Sequence, residues 1–155
     1  MSLFFHFIGF GLLVTLNVAG IILNSQYKKA PDLQTKAIIL RALKPIGMLS
    51  PIAVLLMLVT GIGNMHSLGL DLMSMAWLAY KIVFFAIAAI SGVIFGIISR
   101  KRGTLVGSMI KGNAPANANE LLQSYDKQIK IGYIVFPILM VIILCLSIYG
   151  RLGGQ

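Results

Sequence analysis

Four long apolar runs separated by polar connections dominate the chain, at Leu3–Leu23, Ile46–Gly63, Leu72–Ser99 and Ile131–Tyr149. About 20 consecutive apolar residues are enough for a helix to cross a lipid bilayer. The pattern therefore predicts an all-α fold, an integral membrane four-helix bundle. We expect a single transmembrane domain over residues 1–155, with helices at about 3–25, 33–63, 72–99 and 120–150.

Polar residues inside the first and third runs recur at helical spacing. His6, Asn17 and Asn24 are separated by 11 and 7 residues, which returns each to within about 20° of the same helix face. Polar side chains inside a membrane normally face the bundle interior. A second stripe, on the third run, consists of Ser74, Lys81, Gly92 and Ser99. We expect both stripes to face a common interior.

The second and fourth helices are predicted to begin before their membrane-spanning parts. Pro31 and Asp32 are typical of a helix start. An amphipathic stripe then leads into the membrane, formed by Leu33, Ile38, Ile39, Leu43 and Ile46. Asn119 and Glu120 are expected to open the fourth helix. The segment Gly103–Glu120, rich in Gly, Asn and Pro, is predicted to be a loop.

Composition and charge agree with a membrane protein. The chain is 58% hydrophobic and 11% charged, whereas soluble domains carry about 25% charged residues. Eleven of the 13 Lys and Arg residues fall in or beside the first and third connections. The positive-inside rule then predicts an N-out/C-out protein with helices 2 and 4 extended into the cytoplasm. The first run has no basic segment before it, so we interpret it as a retained helix.

This distribution of charge also accounts for the net charge of +9. Basic residues beside membrane spans set topology and attract anionic lipid headgroups. The expected partners are the lipid bilayer and other membrane subunits or a homo-oligomer, with no nucleic acid. The expected location is a bacterial-type inner (plasma) membrane, crossed several times.

Two histidines are candidates for chemistry, His6 in the first helix and His66 in the outer connection. Imidazole ligates haem iron and copper and transfers protons. The alternative for each is a polar residue at the membrane interface, bonded to a carbonyl. His66 also lies beside Met65, and thioether plus imidazole is a soft ligand set suited to Cu(I). Cys145 has no second cysteine to pair with.

Lys81 lies four residues after Trp77, and tryptophan prefers the membrane interface. Four helical residues rise about 6 Å, so one interpretation is a lysine that extends its ammonium outward to water. The other places the ammonium beside His6, where it would hold an anion such as a porphyrin propionate.

Two segments carry a family resemblance. The two segments are "LKPIGMLSPIAVLLMLVTGIGNMHSLGL" and, after it, "WLAYKIVFFAIAAISGVIFGIISRKRG". This middle part of the chain resembles the central helix pair of the CopD copper-resistance membrane domain and of the HemJ type of protoporphyrinogen oxidase. The matching positions are Thr60, Gly61, Leu78, Lys81 and the basic exit Arg100 to Arg102, with His6 and Trp77 matching the HemJ type. "NSQYKK" departs from the arginine-bearing segment of that type.

The resemblance implies haem b or porphyrin binding in the HemJ branch, with protoporphyrinogen oxidation as an activity, and copper uptake in the CopD branch. Our primary expectation is haem b or a porphyrin near the outer face, with a redox or tetrapyrrole-related role. The cofactor-binding candidates are His6, Lys81, Trp77 and Asn17, and the metal-binding candidates are His6, His66 and Met65. The alternatives are a non-catalytic accessory subunit of a larger membrane complex and copper handling.

Overall fold

The computed structural model describes residues 2–71 and 75–153, and four helices contain nearly all of them. They are α1 (Ser2–Lys29), α2 (Leu33–Ser67), α3 (Ala76–Ile110) and α4 (Ala118–Arg151). No strand occurs in these two ranges. The predicted all-α, four-helix fold is confirmed. Ser74 of the predicted second stripe lies outside the described residues.

The helices form an antiparallel ring in which each contacts the next. α1 packs mainly on α2, and α3 mainly on α4, while thinner α2–α3 and α1–α4 contacts close the ring. The connections after α1 and after α3 lie at one end, which we call the basic end because it carries eleven of the 13 Lys and Arg residues. The opposite end, which includes His6, is called the histidine end.

All four helices are long and apolar enough to cross a membrane. Their spans are thinly packed inside the chain: in the most apolar 18-residue stretch of α3, no residue is buried. Such wide apolar surfaces require a non-aqueous neighbour. The fold therefore supports a membrane protein, and α3 is the helix whose apolar span is least buried by the rest of the chain.

A cluster of mutually packed, buried hydrophobic residues lies at the basic end. Leu105 and Val106 of α3 pack with Ala118 and Leu122 of α4. Partly buried residues from three helices and the third connection surround them: Ala37, Leu40, Met109, Ala114, Leu121 and Tyr125. The predicted loop is thus wrong over residues 103–110, where α3 continues as a helix, because its apolar residues at helical spacing outweigh Gly103 and Gly107.

The start of α2 follows from its cap. Asp32 accepts a hydrogen bond from the Thr35 backbone N–H at 2.8 Å and another from the Thr35 hydroxyl at 2.9 Å. The bond from the backbone N–H, and to a smaller extent the bond from the hydroxyl, lowers the pKa of the Asp32 carboxyl below its usual value. The helix therefore begins where the Pro31–Asp32 pair predicts.

Other boundaries and faces differ from prediction. α1 runs to Lys29 instead of about residue 25, α3 to Ile110 instead of 99, and α4 begins at Ala118 instead of 120. Ile38 is 65% exposed, so it is not part of the packed stripe of α2. Ala37 and Leu40 face the core in its place.

Candidate functional site

At the histidine end, His6 of α1 is held against α2. Its Nδ1 lies 2.9 Å from the Thr60 hydroxyl, and a Cβ placed on Gly61 would meet the ring's Cε1 at 3.5 Å. The imidazole thus packs at ordinary contact distance on the Gly61 turn of α2. Ser2 donates to the Thr60 carbonyl at 2.9 Å, which ties the first turn of α1 to the same point.

The Thr60 hydroxyl determines which nitrogen of His6 carries the proton. The hydroxyl lies 2.6 Å from the Leu56 carbonyl and donates its one hydrogen there. Toward His6 the oxygen can then only accept, so Nδ1 is the protonated nitrogen. Nε2 of the neutral ring keeps its lone pair, which is the form of imidazole that binds a metal.

Two cationic side chains lie at the same end of the bundle as His6. Lys81 is half-buried near the start of α3, and Arg151 ends α4. The Arg151 guanidinium lies 5.3 Å from the centroid of the Phe7 ring. The histidine end therefore combines one imidazole with two cationic side chains, an arrangement suited to a ligand that carries carboxylates.

The remaining predicted site residues do not gather around His6. Trp77 is buried and packs on Gly150, so its indole supports the α3–α4 contact. Asn17 is half-buried and lies 11 residues along α1, about 16 Å from the level of His6.

The copper candidates are also separated from His6. His66 is exposed, and six residues of helix turn it about 120° away from the face of Thr60. Met65 lies at about 140° from that face. Among the described residues, no group of three His, Cys, Asp or Glu side chains is placed to hold a metal.

A second polar cluster lies at the basic end, around Arg102. This α3 side chain is almost fully buried and donates to Asn24 at 2.9 Å and to Asp126 at 3.1 Å. The guanidinium also lies 4.3 Å from the centroid of the buried Tyr27 ring. One cation thereby joins α1, α3 and α4 in the interior.

Two atoms of this cluster have no hydrogen-bond partner among the described residues: the Tyr27 hydroxyl and Arg102 Nε. On the next turns toward the membrane, the Tyr133 hydroxyl lies where a Cβ on Gly20 would come within 2.8 Å of it. The buried polar interior of the bundle thus extends along α1 from Tyr27 to Gly20.

The sequence predicted part of this arrangement. The stripe on α1 placed Asn24 in the interior, and Asn24 is buried. Arg102, Tyr27 and Asp126 were missed, because Arg102 was read only as one of many topological charges. The signal was present: Arg102, Leu105, Val106 and Met109 have i, i+3, i+4, i+7 spacing, which indicates a helix face turned inward.

In comparisons with known proteins, no family model, curated protein or solved structure matches the chain.

Proposed function

We propose that this chain is an integral membrane protein that binds haem b or a related porphyrin at its histidine end, with His6 as the iron ligand. The observation that carries the proposal is the hydrogen bond from His6 Nδ1 to Thr60. Haem-ligating histidines have their second nitrogen held in this way, which fixes the tautomer and orients the ring.

The neighbouring charges support a porphyrin rather than a bare metal ion. A haem carries two propionates, and Lys81 and Arg151 place two cations at the same end of the bundle as His6, Arg151 against the ring of the adjacent Phe7. The residues fit a single-histidine site, since His66 lies on another face of α2. Bound haem would supply one-electron chemistry, while the chain's own residues hold the ring, set the imidazole tautomer and neutralise the carboxylates.

The proposal includes the finer placement of the protein. By the positive-inside rule, the basic end would face the cytoplasm and the histidine end would lie outside, in a bacterial-type inner membrane. A redox or tetrapyrrole-related role follows from that ligand, and the resemblance to the HemJ type favours a tetrapyrrole substrate.

The test is haem binding by the purified full chain. We expect the wild type to shift and sharpen the Soret band of added haem, His6→Ala to lose this change, and His66→Ala to keep it as the matched control. Thr60→Val should weaken haem binding about 10- to 100-fold and shift the spectrum, because the hydrogen bond between His6 Nδ1 and the Thr60 hydroxyl is lost. A wild type that leaves the Soret band of added haem unchanged, or the wild-type change persisting in His6→Ala, would contradict the proposal.

Lys81 has its own test. Lys81→Met should weaken binding of haem but not of haem whose propionates are esterified, because only the free carboxylates interact with the ammonium. Equal binding of both compounds to the wild type and to Lys81→Met would show that Lys81 only reaches to the membrane interface.

A second candidate function is a non-catalytic accessory subunit of a larger membrane complex. The observation favouring it is the α3 span, in which no residue of the most apolar stretch is buried by this chain. A helical partner would cover this face as well as lipid does. Co-purification of a stoichiometric membrane partner with haem-free protein would support this candidate over the first.

A further inference from the structure

We propose that a groove between α3 and α4 at the basic end is a binding site for an anionic phospholipid, which it holds by the headgroup phosphate. The groove has a volume of about 520 Å³. Its polar lining consists of Arg100, Lys101, Thr104 and Ser108 on α3 and Tyr125 on α4. This site is at the opposite end of the molecule from His6 and is independent of haem.

The chemistry of the lining matches a phosphate monoanion. Arg100 and Lys101 are exposed cations, and the hydroxyl groups of Thr104 and Tyr125 supply further donors. The Ser108 hydroxyl donates its hydrogen to the Thr104 carbonyl at 3.1 Å and can only accept from a ligand. None of the lining residues is acidic. The nearest carboxylate in sequence, that of Asp126, forms the ion pair with Arg102 and so leaves the groove positive.

The second groove at the basic end serves as an internal comparison. It has a similar volume, about 590 Å³, but it is lined by Asp32 and by no basic residue. Positive charge is therefore a property of the α3–α4 groove and not of every recess at this end of the bundle.

The helix face that forms the groove continues directly onto the membrane span. Ile97 lines the groove, and Lys101, Thr104 and Ser108 follow it at spacings of 4, 7 and 11 residues, which keeps them within about 40° of one face. In the other direction the same face carries Ile90 and Val93, which are 63% and 65% exposed.

An occupant of this face needs a phosphate at one end and an apolar chain at the other, in contact along the helix. A phospholipid has both in the required order, whereas a soluble phosphate compound would leave the apolar residues Ile90, Val93 and Ile97 uncovered. Basic pockets beside membrane helices bind lipid headgroups by this combination. We therefore identify the occupant as a lipid with an anionic phosphate headgroup, such as phosphatidylglycerol.

The experiment measures thermal unfolding of the full chain in neutral detergent, titrated with phosphatidylglycerol, phosphatidylcholine or inorganic phosphate. We expect phosphatidylglycerol to raise the midpoint strongly and the other two to raise it little. Arg100→Gln with Lys101→Gln should weaken the apparent affinity at least tenfold. Lys28→Gln with Lys29→Gln removes the same charge from α1 and should change the affinity less than twofold.

A neutral variant keeps the test informative if the loss of Arg100 and Lys101 prevents insertion. Thr104→Val with Tyr125→Phe removes the two donor hydroxyls, leaves the charge unchanged and should weaken phosphatidylglycerol binding several-fold. The proposal is overturned if this variant binds as tightly as the wild type, or if the α1 control loses as much affinity as the groove variant. It is equally overturned if phosphatidylcholine or inorganic phosphate reproduces the effect of phosphatidylglycerol.

Discussion

Arg102 shows at the scale of a single residue how one charge organises the interior of this bundle. A buried guanidinium is costly unless every face of it meets a partner. Here Nη1 donates to the Asn24 amide oxygen and to the Asp126 carboxylate, and the Tyr27 ring packs against the guanidinium. Nε has no partner among the described residues, so the pairing is incomplete. The carboxylate side chain remains 29% exposed, so water retains access to one side of the ion pair.

We predict that Arg102→Met lowers the free energy of unfolding by about 3 kcal/mol, the lower end of the range for a broken buried pair, because the stranded carboxylate of Asp126 can still be hydrated. Asp126→Asn should cost at least as much, since it leaves the buried cation without its counter-ion. Lys127→Met, at an exposed neighbour on α4, should change stability by less than about 0.5 kcal/mol. Denaturant titration in detergent measures all three, and a value for Arg102→Met as small as that for Lys127→Met would contradict the role assigned to this cluster.

What the sequence revealed of the two polar clusters followed from periodicity. The spacing of His6 and Asn24 was enough to predict an inward face on α1, because helix geometry alone fixes that relation. Their partners could not be predicted in the same way. Thr60 and Arg102 lie on other helices. Which residues of two helices meet depends on how the helices pack, and the periodicity within one helix does not determine that.

At the scale of the helices, close packing of α3 on α4 depends on glycines opposite aromatic rings. A Cβ on Gly132 would overlap the Phe95 ring, and one on Gly150 would overlap the Trp77 indole. Phe95 also packs edge-on against Tyr133, with ring centroids 5.0 Å apart. The rings therefore occupy the space that these glycines leave, and the two helices approach each other there.

Gly132→Ala should destabilise the protein by about 1–3 kcal/mol, because Phe95 is fixed by its ring contacts and cannot move aside without strain. Gly96→Ala is the matched control: it adds the same methyl group to the neighbouring helix, where no atom lies within 4 Å. That variant should be neutral or slightly stabilising, since alanine favours a helix over glycine. Thermal unfolding in detergent compares the two variants. An equal loss of stability in both would show that the contact with Phe95 does not stabilise the fold.

Helix boundaries divide into those that local chemistry sets and those that it does not. The Asp32 cap fixes the start of α2 from the sequence alone. The end of α3 was placed too early because glycine is an ordinary signal for a loop, whereas burial of Leu105 and Val106 against α4 favours continued helix. The second effect is tertiary, so it was visible only in the fold.

Across the whole molecule, packing is uneven: the basic end has a compact core, and the spans expose apolar surface. The four helices therefore pack into a core cluster at one end, and along their spans they expose apolar faces that are compatible with contact with lipid. Charge follows the same division, because all but two of the Lys and Arg residues lie at or beside the packed end.

Labelling of single cysteines tests this division as a topology. Cys145 is the chain's one cysteine and is exposed on α4, so it is first replaced by alanine. We expect a membrane-impermeant reagent to label Lys28→Cys and Lys101→Cys from one side and His66→Cys from the other, with the first two cytoplasmic. Labelling of all three from the same side would contradict a four-span bundle.

The ring of contacts has a consequence for how the protein is made. Since α1 pairs mainly with α2 and α3 mainly with α4, the ribosome delivers two successive antiparallel hairpins, each able to enter the bilayer as a unit. Arg102 of the second hairpin donates to Asn24 of the first, so this bond joins the two hairpins. We therefore expect the two halves, expressed as separate chains cut between the second and third helices, to associate in the membrane.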